Sequence, residues 1–202
     1  MSLFKKIFGS KSDKSEDELK SNKRGKYMPD ISLPIDERFT INFKANGGKF
    51  LYCENLDEIF DSITKIIGEN NWEDDKVFIL DDNLKNLFNN SNLSLSSSIP
   101  ESKFFLTTCE NLIADDGSLL ISSNQIAEKR LHELPKHFIV YATTSQIAGN
   151  IGEGLRGIKS KNRKNIPTNI TTIKHFKSVD EKDFLSYGSS TKDLYLLLLE
   201  DL

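Results

Sequence analysis

Asp115-Asp116-Gly117-Ser118-Leu119-Leu120-Ile121, then Leu134-Pro135, then Phe138-Ile139-Val140-Tyr141-Ala142-Thr143-Thr144-Ser145-Gln146-Ile147, is the stretch on which the fold turns. A polar turn containing glycine opens one apolar run, and a proline stops the chain shortly before a second. The stretch therefore reads as two strands. Thr143 and Gln146 then form a capping box, and Ile147, Ile151, Leu155 and Ile158 recur at helical spacing. Gly149, Gly152, Gly154 and Gly157 weaken that helix.

Working outward, Phe39, Ile41 and Phe43 lead to the turn signal Gly47-Gly48 and then to Phe50-Leu51-Tyr52-Cys53, which predicts helix, turn, strand. Asn55 with Glu58 starts a helix carried by Leu56, Ile59, Phe60, Ile63, Ile66 and Ile67 and ended at Gly68. Val77 to Leu80 reads as a short buried strand, and Asp81-Asp82 caps a brief helix with Leu84, Leu87 and Phe88. Asn89 to Ser98 is expected to be a loop. Phe104 to Thr108, Ile170 to Ile173 and Leu194 to Leu199 supply further strands. Strands alternating with helices predict an α/β domain: three layers, doubly wound, with a mainly parallel sheet. The echo Cys-Glu-Asn-Leu at 53–56 and 109–112 follows a strand both times and reflects shared strand-to-turn chemistry, not duplication.

Composition bounds the possibilities. The 202 residues are 37% hydrophobic and 28% charged and include 13 Phe, enough for one domain with a real core. Residues 1–27 carry eight basic and four acidic side chains, net +4, so the remainder of this chain of net charge −3 carries −7. Few apolar residues occur between Gly9 and Asp30, so residues 1–30 are expected to form a flexible charged tail and 31–202 a single domain. Leu3, Phe4, Ile7 and Phe8 could line one face of two helical turns as a weak anchor, or simply fray. The apolar runs are too short to span a bilayer, and no secretory pattern opens the chain, which predicts a cytoplasmic protein. Two distant cysteines, Cys53 and Cys109, offer no disulfide framework, no cysteine metal box and no iron–sulfur ligation, and no cofactor is expected.

Candidate functional residues concentrate around the central stretch. At Asp115-Asp116-Gly117-Ser118 two carboxylates, a flexible glycine and a hydroxyl converge where a strand begins. Such a cluster could hold a metal, act as acid and base or bind ligand hydroxyls. It could equally be a turn whose Asp side chains bond their own backbone. Glu110, at a strand end and followed by Asn111, is a candidate nucleophile, although Leu112 stands where the glutamyl-thioester pattern of coenzyme A enzymes has glycine. Thr144 and Ser145 place hydroxyls and N–H groups beyond a strand's carboxyl end, where they could cap a helix or bind an anion. His132, His137 and His175 lack partners at metal-ligand spacing. Gly152-x-Gly154-x-x-Gly157 matches the dinucleotide expression but falls inside the helix frame, where the glycines would permit close packing. The basic run Lys159 to Lys164 has no interleaved aromatic residue, which argues against nucleic acid.

The central motifs, in this order and spacing, resemble the lactate-utilisation (LUD) domain, with the likeness running from about Glu37 to Leu202 and strongest between Lys103 and Gly157. The resemblance implies a fold similar to the glucosamine-phosphate isomerase, ribose-phosphate isomerase and coenzyme A transferase group. It also implies a cluster-free component, like lactate-utilisation protein C, that works with iron–sulfur partner subunits in oxidising lactate to pyruvate. Asp115 falls where the family usually carries Glu, and Lys129 and Arg130 fall where it places a basic residue able to meet an anion. An anionic small molecule held between Asp115, Arg130 and Ser145 follows as an expectation, with Asp116, Gly117 and Ser118 beside it. The alternative is a stand-alone small-molecule binding protein or enzyme using Glu110 or Asp116 as base or nucleophile. Toward the C-terminus the family's Ser-x-x-Ala-Asp-Ile-Glu and Val-His-Gly-Pro segments are replaced by Phe176 to Asp183 and Tyr187-Gly188-Ser189-Ser190, where Asp180 and the ligand-binding candidate Gly188 are the remnants.

Overall fold

Five parallel pairings build the main sheet, whose six strands lie in the order Lys49–Cys53, Asp193–Leu199, His137–Thr143, Ser102–Thr108, Lys76–Phe78, Ser94–Ser96. The computed structural model of the protein describes residues 33–89, 91, 93–176 and 192–201. Residues 1–30, expected to form a tail, with the Leu3–Phe8 segment, and Asp180 and Gly188 lie outside the described residues.

Helix α1 (Ile35–Ala45) is followed by β1 (Lys49–Cys53), α2 (Leu56–Asn70) and β2 (Lys76–Phe78). Helix α3 (Asp82–Leu87), β3 (Ser94–Ser96) and β4 (Ser102–Thr108) come next. Asn55 caps α2 by accepting the Glu58 N–H at 3.0 Å, while Glu58 reaches back to the Glu54 N–H at 2.8 Å. The helix runs two residues past Gly68 and stops at Asn71, whose φ of 54° places it in the left-handed region. Asn is one of the few residues that tolerate this conformation, so Gly68 is not needed as the stop. Within the segment expected to be a loop, Ser94–Ser96 adds a short edge strand beside β2.

The central stretch departs most from expectation. Asn111–Ile113 forms β5 and Ser118–Ile121 forms β6, paired antiparallel. Parallel partners need a crossover of a dozen or more residues, whereas the four-residue turn Ala114–Gly117 allows only a hairpin. Strand β6 therefore sits outside the main sheet, in a second sheet whose order is Ile147–Ala148, β5, β6, Thr171–Ile173. After β6 come the short helix α4 (Ser123–Ile126), a 3-10 turn (Leu131–Glu133) and β7 (His137–Thr143). The Thr143–Gln146 box caps a second 3-10 turn (Thr144–Gln146), not the long helix. Ile147–Ala148 is β8, and α5 (Ile151–Lys161) begins only after Asn150, which accepts the Glu153 N–H at 3.0 Å. Strands β9 (Thr171–Ile173) and β10 (Asp193–Leu199) complete the order.

Packing explains the layers. Ile59, Ile63 and Ile66 of α2 and Leu84 of α3 share one buried cluster with Phe104, Leu106, Ile139 and Leu197 of the main sheet. Alternate residues point to the opposite face, where the Phe105 and Phe138 rings meet edge-on at 5.2 Å. Because both faces are covered, β10 is buried continuously from Leu194 to Leu198. Strand order shows that β2 leads outward to β3 whereas its neighbour β4 leads back toward β7. Right-handed crossovers then send α2 and α3 to one face and the chain after β4 to the other. Helix α5 packs on the small sheet, where Ile158 joins Ile113 and Leu120 in a separate buried cluster. A Cβ on Gly154 would lie 2.8 Å from Leu120 Cδ1, so this glycine sets the close approach of helix and sheet. All three glycines of the dinucleotide-like expression are inside α5.

Candidate functional site at the carboxyl edge

The divergence of β2 and β4 is a topological switch point, and in open α/β sheets the crevice beyond the strands' carboxyl ends at such a point is where ligands bind. Glu110 stands two positions past the carboxyl end of β4, one of the two strands that flank this point. Its N–H is fixed to Leu120 O at 2.8 Å. One carboxylate oxygen, Oε1, accepts from Ser122 Oγ at 2.6 Å, Asn124 Nδ2 at 2.8 Å and Gln125 Nε2 at 3.3 Å. Ser122 is fully buried and caps α4 as well, its Oγ accepting the Asn124 N–H at 3.1 Å. Oε2 has no hydrogen-bond partner among the described residues. Glu110 is thus a half-buried carboxylate held in one orientation by one oxygen, with the other left to act.

A second carboxylate stands beside the next strand end. Asp201, just beyond β10, accepts Thr144 Oγ1 at 2.9 Å and the Ser145 N–H at 2.8 Å through Oδ1, and Ser145 Oγ at 2.6 Å through Oδ2. Partial burial raises its pKa, but the bonds from Ser145 and Thr144 outweigh that and bring it down to about 2. The anion that the Thr144–Ser145 donors hold is the chain's own Asp201. Gln146 joins the two clusters: its Oε1 accepts the Thr143 N–H at 2.8 Å and its Nε2 donates to Cys109 O at 2.6 Å.

Asp115, Asp116, Gly117 and Ser118 lie at the far end of the hairpin from Glu110. Asp116 Oδ1 accepts both the N–H and the Oγ of Ser118, at 3.1 and 2.6 Å, which is the self-bonded turn weighed above. Asn42 of α1 donates to Ala114 O at 2.8 Å, and Asn46 donates to Asp116 O at 2.6 Å. Asp115 lies 3.4 Å from Arg38 and Asp116 3.6 Å from Lys174. The four residues tie the hairpin to α1. Lys129 and Arg130 are in the turn after α4 that leads back to the start of β7, whereas Ser145 follows its end. Asp115, Arg130 and Ser145 are therefore not gathered into one site; Ser145 is brought to Asp201.

Sequence reasoning passed over Asp201, Ser122 and Gln125. The last two carry a legible signal, since Ser122-x-x-Gln125 is itself a capping box: Gln125 Oε1 accepts the Ser122 N–H at 2.8 Å. Asp201 carries none, because only the sheet order brings the end of β10 beside the end of β7. Cys53 and Cys109 are buried free thiols on separate strand ends, and burial pushes both pKa values up. Among the described residues no group of three or more His, Cys, Asp or Glu could hold a metal ion, and no helix is long and apolar enough to cross a membrane.

A mainly parallel sheet flanked by helices, with polar clusters at its carboxyl edge, defines the class: an open α/β protein with a side sheet carried on its crossovers. The chain belongs to the LUD-domain family, whose model matches residues 37–199. Among solved structures it is similar to a DUF162 family protein from Deinococcus radiodurans, with a TM-score of 0.57 and 15% sequence identity, covering 84% of this chain and 100% of that one. Comparison with curated proteins finds no match.

Proposed function

We propose that this protein is a cluster-free component of organic-acid utilisation of the lactate-oxidising kind, acting beside iron–sulfur partner subunits. The LUD-domain match over residues 37–199 carries the reading. Oxidising a 2-hydroxy acid to a 2-oxo acid releases two electrons and two protons, and an iron–sulfur cluster that took the electrons would need about four thiolates. This chain has two cysteines, both buried, so the electrons would pass to a partner. Anaerobic affinity purification of the tagged chain from its own cells, with mass spectrometry and iron analysis, tests the reading. A stoichiometric iron-containing partner is expected, and recovery of the chain alone overturns it.

One observation favours a second reading, that of a stand-alone enzyme or binding protein similar to the isomerases and coenzyme A transferases. Glu110 is oriented by three donors just beyond the carboxyl end of β4 while Oε2 has no partner among the described residues, the arrangement a general base or nucleophile needs. Asp116 is a weaker candidate because one of its oxygens is bonded to Ser118 within the hairpin turn and the other faces Lys174. Thermal-shift screening of the purified chain with short hydroxy acids, oxo acids and coenzyme A, against Glu110→Gln, tests this reading. A ligand that stabilises wild type and not the variant supports it, and an unchanged response in the variant removes Glu110 from the site.

A further inference from the structure

A cavity of about 740 Å³ lies on the face of the main sheet that carries α2 and α3, and it shares no residue with the Glu110 and Asp201 clusters. Its walls are apolar: Phe60, Ile63 and Ile67 of α2, Leu87 at the end of α3 and Phe104 of β4. Spacings of three and four put the α2 residues on one side of that helix. Ile63 and Phe104 belong to the buried core cluster, whereas Phe60, Ile67 and Leu87 are only partly covered by it. The packing between α2 and the sheet is thus left unfilled here, over a volume within the roughly 300–1,000 Å³ that small-molecule sites span.

Trp72, directly after the left-handed Asn71 that ends α2, also lines the cavity and is 4% exposed. Its ring stacks on Phe104 with centroids 5.1 Å apart. The indole N–H has no hydrogen-bond partner among the described residues, although a tryptophan buried this far ordinarily finds one. Unlike Arg38 Nε, that nitrogen is not sealed from solvent, so it stays open to a ligand.

The charge at this cavity has one sign. Glu73 and Asp75 line it, and no Lys, Arg or His does so among the described residues. Neither carboxylate has a hydrogen bond or ion pair among the described residues, and the neighbouring Lys76 is taken up by Glu101 at 2.8 Å. Two unpaired carboxylates beside an aromatic-walled space repel an organic anion and attract a cation, and the ring faces of Trp and Phe add to that attraction.

We infer that this cavity binds a small organic amine, whose aromatic or branched apolar body enters between α2 and Phe104 while its ammonium meets Glu73 and Asp75. The Trp72 N–H is left for an acceptor, a hydroxyl or carbonyl, on the same molecule. Hydroxy acids and coenzyme A are anions and are disfavoured here, so the site is independent of the proposed function and stands whether or not that function holds.

Probes that share one ring system separate charge from shape: α-naphthylmethylamine, α-naphthylmethanol and α-naphthylacetate, each titrated into the uniformly ¹⁵N-labelled full chain at matched ionic strength. Trp72 is the only tryptophan, so its indole N–H gives a single cross-peak. The amine is expected to move that peak, and the amides of Ile67, Gly68 and Trp72 to Asp75, saturably, with the acetate at least about tenfold weaker. Gly68 lines the cavity from within α2, and a Cβ there would meet nothing nearer than Glu73 Oε1 at 3.9 Å, so Gly68→Phe suits the helix and should abolish binding. Glu73→Gln with Asp75→Asn should erase the preference for the amine and leave the alcohol bound. The assignment is overturned by an amine that leaves the Trp72 peak unmoved, by an acetate that binds as tightly as the amine, or by an amine affinity unchanged in Gly68→Phe. Should Gly68→Phe fail to fold, the wild-type charge series and the Glu73→Gln, Asp75→Asn variant decide.

Discussion

Gly117 lies so close to α1 that a Cβ on it would stand 2.3 Å from both the carbonyl carbon of Asn42 and the nitrogen of Phe43. Its φ is +67°, in the left-handed region, so glycine is required there twice over, by conformation and by space. Gly117→Ala should lose about 2–4 kcal/mol, from the strained backbone together with overpacking against a backbone that has no room to yield. Gly157 is the control: it is helical, and a Cβ there would meet nothing within 4 Å. Gly157→Ala should gain about 0.5–1 kcal/mol by removing backbone entropy from the unfolded chain. Urea unfolding of both variants checks the pair, and equal effects of one sign would contradict this account of the hairpin.

That contact also marks how far the sequence could be read. The turn at Asp115–Ser118 and the strand after it are legible, because glycine, acidic residues and an apolar run encode them locally. Their place in a second sheet is less so, since it follows from a hairpin with β5, whose three residues Asn111–Ile113 are too few to announce a strand. The helix expected from Ile147 shows the opposite error. Its apolar spacing runs through Ile147 and Ala148, but those residues pair with Leu112 and Ile113 as β8, and pairing overrides propensity there. Glu110 was visible as a strand-end carboxylate. Of its three donors, Ser122 and Gln125 are legible as the capping box of α4, but nothing local ties that box, or Asn124, to Glu110.

The Asp201 cluster predicts a specific acid response. The folded pKa, brought down to about 2, lies below the value of about 3.9 for an unfolded Asp. The stabilisation is thus fully present above pH 4 or so and lost as pH falls toward 2. Asp201 is exposed, so solvent screening keeps the effect small. Asp201→Asn should be less stable than wild type at pH 6, and the gap should close progressively between about pH 4 and pH 2. Urea midpoints of both proteins across that range measure it. A gap that is constant with pH would mean that folding leaves the Asp201 pKa unshifted, so that Thr144 and Ser145 favour its carboxylate no more than its protonated form.

Lys192 predicts the alkaline side. Burial lowers its pKa to about 8, whereas the unfolded chain titrates near 10.4. Between those values the unfolded state holds more protons, so the contribution of Lys192 to stability rises with pH across that window. The neutral amine keeps two N–H groups, enough for the carbonyls of Leu134 and Pro135, so deprotonation need not break the contacts. Lys192→Met would leave those carbonyls unpaired and remove the titration. The stability difference, wild type minus variant, should therefore be flat below about pH 8 and grow toward pH 10. A difference that shrinks over that interval would show that the ammonium is stabilised in place.

Ser122 and Glu110 should behave as a coupled pair. The Ser122 hydroxyl gives its proton to Glu110 Oε1 at 2.6 Å while its oxygen takes the Asn124 N–H at 3.1 Å, so Ser122→Ala removes a charge-assisted bond and a helix cap together. The expected cost is about 2–3 kcal/mol. Glu110→Gln can keep its amide oxygen where Oε1 stood, in reach of the same three donors, and should cost under about 1 kcal/mol. In the double variant the charge-assisted part of the Ser122 bond is already gone, so the two losses should fall short of additive by about 1 kcal/mol. Chemical unfolding of the four proteins closes the cycle. Strict additivity would mean that Ser122 acts only as the cap of α4 and that the orientation of Glu110 rests on Asn124 and Gln125.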